Sequence, residues 1–397
     1  MPTGVANSHL GAFNSISSRD RISFMRTRNS MSPETIASHF DAPGQVVTVL
    51  NIDTGNVNDT FRVIKRTTYS ENQFVLQRIS GAVFPRPDLV MSNVKAITDY
   101  AHDKLETQSE KSNRIWQLPR VIKTQNGRDF YLDAEGNYWR ALSMIASATS
   151  HETVLNPEHA HEAGYVLGHF QQVISDFPAD ELADTLPGFH VTPQYLKQYD
   201  RVVQTDEAQD RLAASSEARR IGEFVEGRRS FASTLEDALE RGELQHRPIH
   251  GDPKISNIMI DDITGKGTAI VDLDTVKPGL IQYDFGDCVR SVCNPAGEEA
   301  RDLNDVYIDT DLFEALVKGY LKQAEKFLTE ADRKYLYDSI RLIAFELGLR
   351  FFADYLAGDV YFKTSYGSQN LNRARVQMKL CESIEVRESK LRRVLDG

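Results

Sequence analysis

Apolar and polar residues change period several times along this chain, and each change marks an element. The runs VVTVL at 46–50, TFRVI at 60–64 and QFVLQRI at 73–79 are rich in β-branched and aromatic residues and are separated by turn formers. They predict three strands of an antiparallel meander. Residues 88–105 take helical spacing. RDFYLD at 128–133 and YWRALSMI at 138–145, joined through Gly136-Asn137, predict two more strands. The small polar stretch ASATS at 146–150 suits a hinge. Beyond it, Ala163, Val166, Leu167, Phe170 and Val173 place an apolar stripe along a helix at 158–177. A charged region at 198–243 reads as two or three helices with solvated outer faces, 249–276 returns to short strands, and the chain is helical from 312 onward. The expected class is α+β: a five-stranded antiparallel sheet lobe at 31–146 and a larger, mainly helical lobe at 147–397.

Folding signals begin at Ser32-Pro33-Glu34, where an N-cap, a first-turn proline and an acid announce a helix. Residues 1–30 differ in kind, with many Ser and Asn and with Arg19, Arg21, Arg26 and Arg28 against the single acid Asp20. A disordered tail is expected there; an organelle transit segment, or sequence upstream of a start at Met31, are the alternatives.

Composition narrows the functional classes. At 397 residues, 41% hydrophobic and 26% charged, the chain can bury the core of two lobes. A formal net charge of -11 opposes binding to nucleic acid or anionic lipid, which are held by Lys and Arg clusters, and favours a diffusible small substrate. Cys288, Cys293 and Cys381 are odd in number and lack CxxC spacing, which points to a reducing cytoplasm. No apolar run reaches membrane-spanning length, so no membrane partner is expected.

The candidate chemistry is concentrated in RPIHGDPKISNIMID (247–261) and AIVDLDT (269–275). Phosphoryl transfer needs a carboxylate to orient the attacking hydroxyl and oxygen ligands that hold magnesium against phosphates. His250, Asp252, Lys254 and Asn257 supply the carboxylate, a nearby cation and a side-chain carbonyl on one loop. A hairpin turned at Thr264-Gly265-Lys266-Gly267 then returns a second carboxylate, Asp272, beside it. This is the spacing of a kinase catalytic loop and its metal-binding Asp.

These segments resemble the aminoglycoside phosphotransferase and choline kinase superfamily, with its protein-kinase-like bilobal fold, and within it the bacterial N-acetylhexosamine 1-kinases. The resemblance runs from about residue 37 to 380 and is carried by ASHF (37–40), GNVNDTF (55–61), FVLQRI (74–79), LGHFQ (167–171), VDLDTVKPGL (271–280), YDFGD (283–287) and GLRFFADYLAGDVYF (348–362). It implies Asp252 as catalytic base, Asn257 and Asp272 as magnesium ligands, ATP as phosphoryl donor, and Arg350 and Tyr361 in the acceptor pocket. The acceptor implied is an amino sugar, phosphorylated at its anomeric hydroxyl. Kinases of the same fold acting on choline, homoserine or an aminoglycoside are the nearest alternatives, and an inactive kinase-like binding protein is the alternative of another class.

The chain also departs from the kinase pattern. GNVNDT has only Gly55 for backbone approach to phosphates, with Asn58 and Thr60 as side-chain donors. Where kinases place a phosphate-pairing Lys, this chain has Gln77 and Arg78, and Arg78 aligns best with the cation. The helix at 88–105 contains no Glu to pair with it. Asp284 is expected to start a helix and brace the catalytic loop, Asp274 to share the strand side of Asp272, and His250 to organise its loop. His190 and His39 are expected to be core or capping residues. Phe351, Phe352 and Tyr355 read as helix core, beside which Arg350 needs a polar or anionic partner.

Overall fold

The computed structural model describes residues 31–52, 57–107 and 114–397, so the expected tail at 1–30 and Gly55 lie outside the described residues. Helix α1 (Pro33–Ser38) opens as its sequence dictates, with the Ser32 side chain accepting from Thr35 N and Pro33 in the first turn. Strands β1 (Gln45–Asn51), β2 (Asp59–Arg66) and β3 (Glu71–Arg78) form the expected meander, followed by helix α2 (Pro87–Thr107), β4 (Val121–Ile122), β5 (Tyr131–Leu132) and β6 (Tyr138–Ser143). The sheet is antiparallel in the order β1-β2-β3-β6-β4, with β5 also paired to β6. It therefore has six strands rather than five. The additional strand, β4, is two residues long, too short to show a period. The strand expected at 128–133 contracts to β5 because the Asp133 carboxylate organises the following turn. It accepts from the backbone N–H of Glu135 and Asn137, the Asn137 amide and the Trp139 indole.

The helical lobe contains β7 (Ala148–Ser150), α3 (Pro157–Ile174), α4 (Thr192–Val203), α5 (Asp206–Ala214), α6 (Ser216–Glu226), α7 (Thr234–Glu240), β8 (Arg247–Ile249), β9 (Ile258–Asp261), β10 (Gly267–Ile270) and β11 (Lys277–Gly279). It ends in α8 (Ile281–Val292), α9 (Thr310–Ala324), α10 (Glu330–Lys334), α11 (Leu336–Leu356), α12 (Gln369–Val386) and α13 (Glu388–Leu395). The charged region holds short, separately started helices, with Thr205 capping α5 and Ser215 capping α6.

Two packing features position the site. Helix α2 lies against the sheet but joins the core of the helical lobe through Val90, Met91, Val94, Ile97 and Ala101. Its buried Asn93 donates to the carbonyls of Ala183 and Val276 at 2.8 and 2.9 Å and accepts from Ala183 N at 2.9 Å. Swinging α2 outward would leave those buried polar groups unpaired, so the helix is fixed to the lobe that carries the loop from His250 to Asn257. The second feature is the contact of α3 with α9. A Cβ on Gly164 would stand 2.0 Å from the Leu316 carbonyl oxygen, and one on Gly319 1.9 Å from that of His161. This close approach lets Tyr320 on α9 donate to Gln171 on α3 at 2.8 Å.

Gly319→Ala is accordingly expected to force the two helices apart and destabilise the chain by about 1–3 kcal/mol. Thermal unfolding followed by circular dichroism should show a drop of several degrees; an unchanged midpoint would contradict the close packing.

Candidate active site

Strand β8 delivers His250, Gly251 and Asp252 to the floor of the space between the lobes. The loop is held from behind. Asp284, in the first turn of α8, accepts from His250 N at 2.9 Å and Gly251 N at 2.8 Å, and Gln171 donates to the same carboxylate at 3.1 Å. Burial pushes the Asp284 carboxyl upward, opposed by His250 and these hydrogen bonds. Gly251 has φ +87°, and a Cβ there would meet Thr275 O at 2.7 Å, so the turn into Asp252 requires glycine.

The two histidines of this region carry different charges. His250 Nδ1 receives Asp252 N–H at 3.2 Å and its Nε2 faces Val271 O at 3.0 Å. One nitrogen must accept and the other donate, which only the neutral ring can do, and burial lowers its pKa. His250 thus organises the loop, joining Asp252 to the strand end that precedes Asp272. His190 Nε2 faces Gly251 O at 2.7 Å and Nδ1 faces Glu346 at 3.0 Å, so both partners are acceptors. Burial would lower its pKa, but Glu346 outweighs that and the net shift is upward. His190 is a core residue, as expected, and in addition a buried imidazolium clamping the loop that carries Asp252.

Asp252 is 29% exposed at its side chain, and its Oδ2 meets Lys254 Nζ at 2.8 Å and the Asn257 amide at 3.3 Å. Its Oδ1 has no protein partner among the described residues. Burial would raise its pKa, but Lys254 foremost holds it below the usual carboxylate range. An ionised carboxylate with one open oxygen is what a hydroxyl proton requires. Asn257 donates to Asp252 O at 2.7 Å, which fixes its amide and leaves its carbonyl oxygen without a protein donor among the described residues.

Asp272 begins the turn after β10 in the left-handed region, at φ 65° and ψ 57°. Such backbone strain in a non-glycine residue persists where the surrounding structure enforces it, often at functional sites. Asp272 is solvent-exposed, and its carboxylate has no hydrogen bond or ion pair to protein among the described residues. Desolvation, then Asp274 and Asp252, push its pKa up to about 6 against the pull of Lys254 and Arg140. Such a carboxylate gains from a cation. Asp272 and the open carbonyl of Asn257 are hard oxygen donors on adjacent segments, tied by Val271 N to Asn257 O at 2.9 Å. They fit magnesium, whose remaining ligands come from phosphates and water.

The sheet-lobe residues divide by face. Cross-strand register aligns Thr60 with Gln77 and Gln77 with Arg140, in a row facing the helical lobe. Gln77 donates to Thr60 at 3.1 Å and accepts from Arg140 Nε and Nη2 at 2.9 and 2.7 Å. Asn58 donates to Asp274 at 2.6 Å and accepts from Ser80 N at 3.0 Å. Arg78 is on the opposite face, paired with Asp59 and lying 5.9 Å over the Trp139 ring. The expectation that Arg78 meets the phosphates is therefore corrected: adjacent strand residues point to opposite faces, and the cleft face takes Gln77. Asp274 does not share a strand side with Asp272, because Leu273–Thr275 form a 3-10 turn; it is buried and ion-paired to Arg140.

Arg350, on α11, stands 5.2, 5.1 and 5.6 Å from the ring centroids of Phe189, Tyr195 and Phe362. It has no carboxylate partner among the described residues; Tyr195, Glu346, Tyr361 and Asp252 raise its pKa from a distance, against burial. Tyr361 is half exposed and packs edge-on against Phe362. Arg350 and Tyr361 thus share one aromatic wall around Phe362. Sequence reasoning missed Arg140, Gln171 and the pair His190–Glu346. Arg140 left a trace as a single charge between Trp139 and Ala141 in an apolar strand.

Solved structures share this architecture. A microcompartment-associated aminopropanol kinase superposes with a TM-score of 0.55 at 17% identity, over 90% of this chain and 97% of its own. An aminoglycoside phosphotransferase from Alicyclobacillus acidocaldarius gives 0.56 at 14% identity, over 94% and 99%. A spectinomycin phosphotransferase solved with ADP and spectinomycin gives 0.51 at 12%, over 89% and 97%. At these identities the likeness is one of fold. The model of the phosphotransferase enzyme family matches residues 48–315, and on that match the chain belongs to the phosphotransferase enzyme family.

Proposed function

We propose that this protein is an ATP- and magnesium-dependent kinase that phosphorylates the anomeric hydroxyl of an N-acetylhexosamine. The observation that carries the kinase reading is the convergence of Asp252, Asn257 and Asp272, the first with an open ionised oxygen and the last without a cation. In this reading the nucleotide enters between the lobes at 31–146 and 147–397, with Gly55, Asn58 and Thr60 toward its phosphates. Asp252 accepts the hydrogen bond of the acceptor hydroxyl and aligns it for in-line attack. Lys254 offsets charge on the transferring group. Asn257 and Asp272 would hold magnesium, which when bound neutralises phosphate oxygens.

The acceptor reading is supported by the resemblance and by Arg350. A guanidinium already seated among Phe189, Tyr195 and Phe362 occupies the aromatic surface that would otherwise attract an ammonium group, and it repels a second cation. Its unspent donors suit a neutral acceptor with hydroxyl and acetamido oxygens. Choline, homoserine and aminoglycosides all present a cationic nitrogen, quaternary in choline and a protonated amine in the others. An ATP-dependent activity and three buried free thiols accord with a cytoplasmic setting.

Incubated with ATP and magnesium, the chain is expected to consume nucleotide fastest with N-acetylglucosamine or N-acetylgalactosamine, ahead of glucose, choline, homoserine and kanamycin. Preference for an amine would move the protein to the alternative acceptors, and no turnover with any alcohol would favour a binding protein. Asp252→Asn should retain nucleotide binding and lose about 100-fold or more in kcat. Asp272→Ala should abolish magnesium-dependent turnover with the fold intact by circular dichroism; near-normal rates in either variant contradict the site. Arg350→Gln should raise the acceptor KM and leave that for ATP unchanged.

A further inference from the structure

Arg140 is 1% exposed and its partner Asp274 is 3% exposed, which makes them one of the most deeply buried ion pairs in the chain, and the pair spans the two lobes. Burying both charges is poor as a source of stability, because apolar residues of the same volume do as well or better. Its location supplies another reason. Asp274 is two residues from Asp272, and Asp252 lies on the facing loop, so three carboxylates converge where a polyphosphate would enter. Asp252 has Lys254 at 2.8 Å. Asp274 has Arg140, whose guanidinium is fixed in direction by the double hydrogen bond to Gln77. Asp272 alone has no cation of its own among the described residues.

From this arrangement we infer that Arg140 is a positioning residue that cancels the charge of Asp274, leaving Asp272 as the single unneutralised carboxylate and thereby admitting the metal–nucleotide complex at one place. The inference rests on the kinase reading. It also accounts for the absent Lys–Glu pair: the cation has moved from β3 to β6, and the acid from α2 to the turn that bears Asp272. Asn58, at the mouth of the loop preceding β2, donates to the same Asp274 carboxylate at 2.6 Å, so the cancelled charge also ties the sheet lobe to the metal-bearing turn.

Charge cancellation and a merely structural tie predict different signs, which titration of fluorescent ADP against the full chain, with and without magnesium, can read. Arg140→Gln uncovers a carboxylate beside the phosphates and should weaken ADP binding about ten-fold. Asp274→Asn leaves a cation there, keeps an oxygen for Asn58, and should tighten metal-free ADP binding by a similar factor. The double variant should return to within about three-fold of the unchanged chain, since the two charges are removed together. Should Arg140→Gln alone fail to fold, Asp274→Asn and the double variant still carry the comparison. Weakening in all three would overturn the inference in favour of a structural tie. Weakening in the double variant with tightening in Asp274→Asn would overturn it in favour of direct phosphate contact by Arg140. If the unchanged chain bound no ADP at all, the kinase reading would fall and this inference with it; if it bound ADP and the signs were wrong, only this inference would.

Discussion

The site depends on one carboxylate that does no chemistry. Asp284 accepts the backbone N–H groups of His250 and Gly251, and so fixes the direction in which Asp252 leaves strand β8. A buried carboxylate can do this only if its own surroundings are fixed. Gln171 donates to it, and Tyr320 in turn donates to Gln171, which the close α3–α9 contact at Gly164 and Gly319 makes possible. From the other side the His190 imidazolium grips Gly251 O and Glu346 grips His190. Glu346 and Arg350 are one turn apart on α11, so the carboxylate that grips His190 and the guanidinium set among Phe189, Tyr195 and Phe362 are anchored on one helix.

Around that fixed loop, charge is distributed unevenly. Asp252 and Asp274 each have a dedicated cation, one from the same loop and one from across the lobes. Asp272 has none among the described residues, and desolvation together with the neighbouring Asp274 and Asp252 pushes its pKa up to about 6. An uncompensated carboxylate at Asp272, on a segment tied to that of Asn257 with its open amide oxygen, favours a hard divalent ion there over one at either neighbouring carboxylate. The same uneven placement keeps the Asp252 carboxyl ionised, which the role of hydroxyl acceptor requires.

The strands and helices were legible wherever a local pattern marked them, down to β5 inside the strand expected at 128–133, and the two-residue strand β4 was not, because its pairing is decided by β6 rather than by local pattern. The grouping of Asp252, Lys254 and Asn257 was legible because one loop holds them, and the return of Asp272 toward them because a hairpin precedes it. Residues whose role depends on a distant partner were not. Gln77 and Arg78 are adjacent, and a strand sends neighbours to opposite faces, so the choice between them rests on a register that spacing does not reveal. Arg140, Gln171 and His190 acquire their roles from Asp274, Asp284 and Glu346, each more than a hundred residues away.

The account is tested most directly by the position of the phosphate in the product. Phosphorus NMR of a reaction containing the full chain, ATP, magnesium and N-acetylglucosamine is predicted to show a sugar phosphate whose phosphorus couples to the anomeric proton, with loss of the reducing end. Phosphate on the sixth carbon, or ATP consumed with no phosphosugar formed, would contradict the proposed alignment of the acceptor hydroxyl on Asp252.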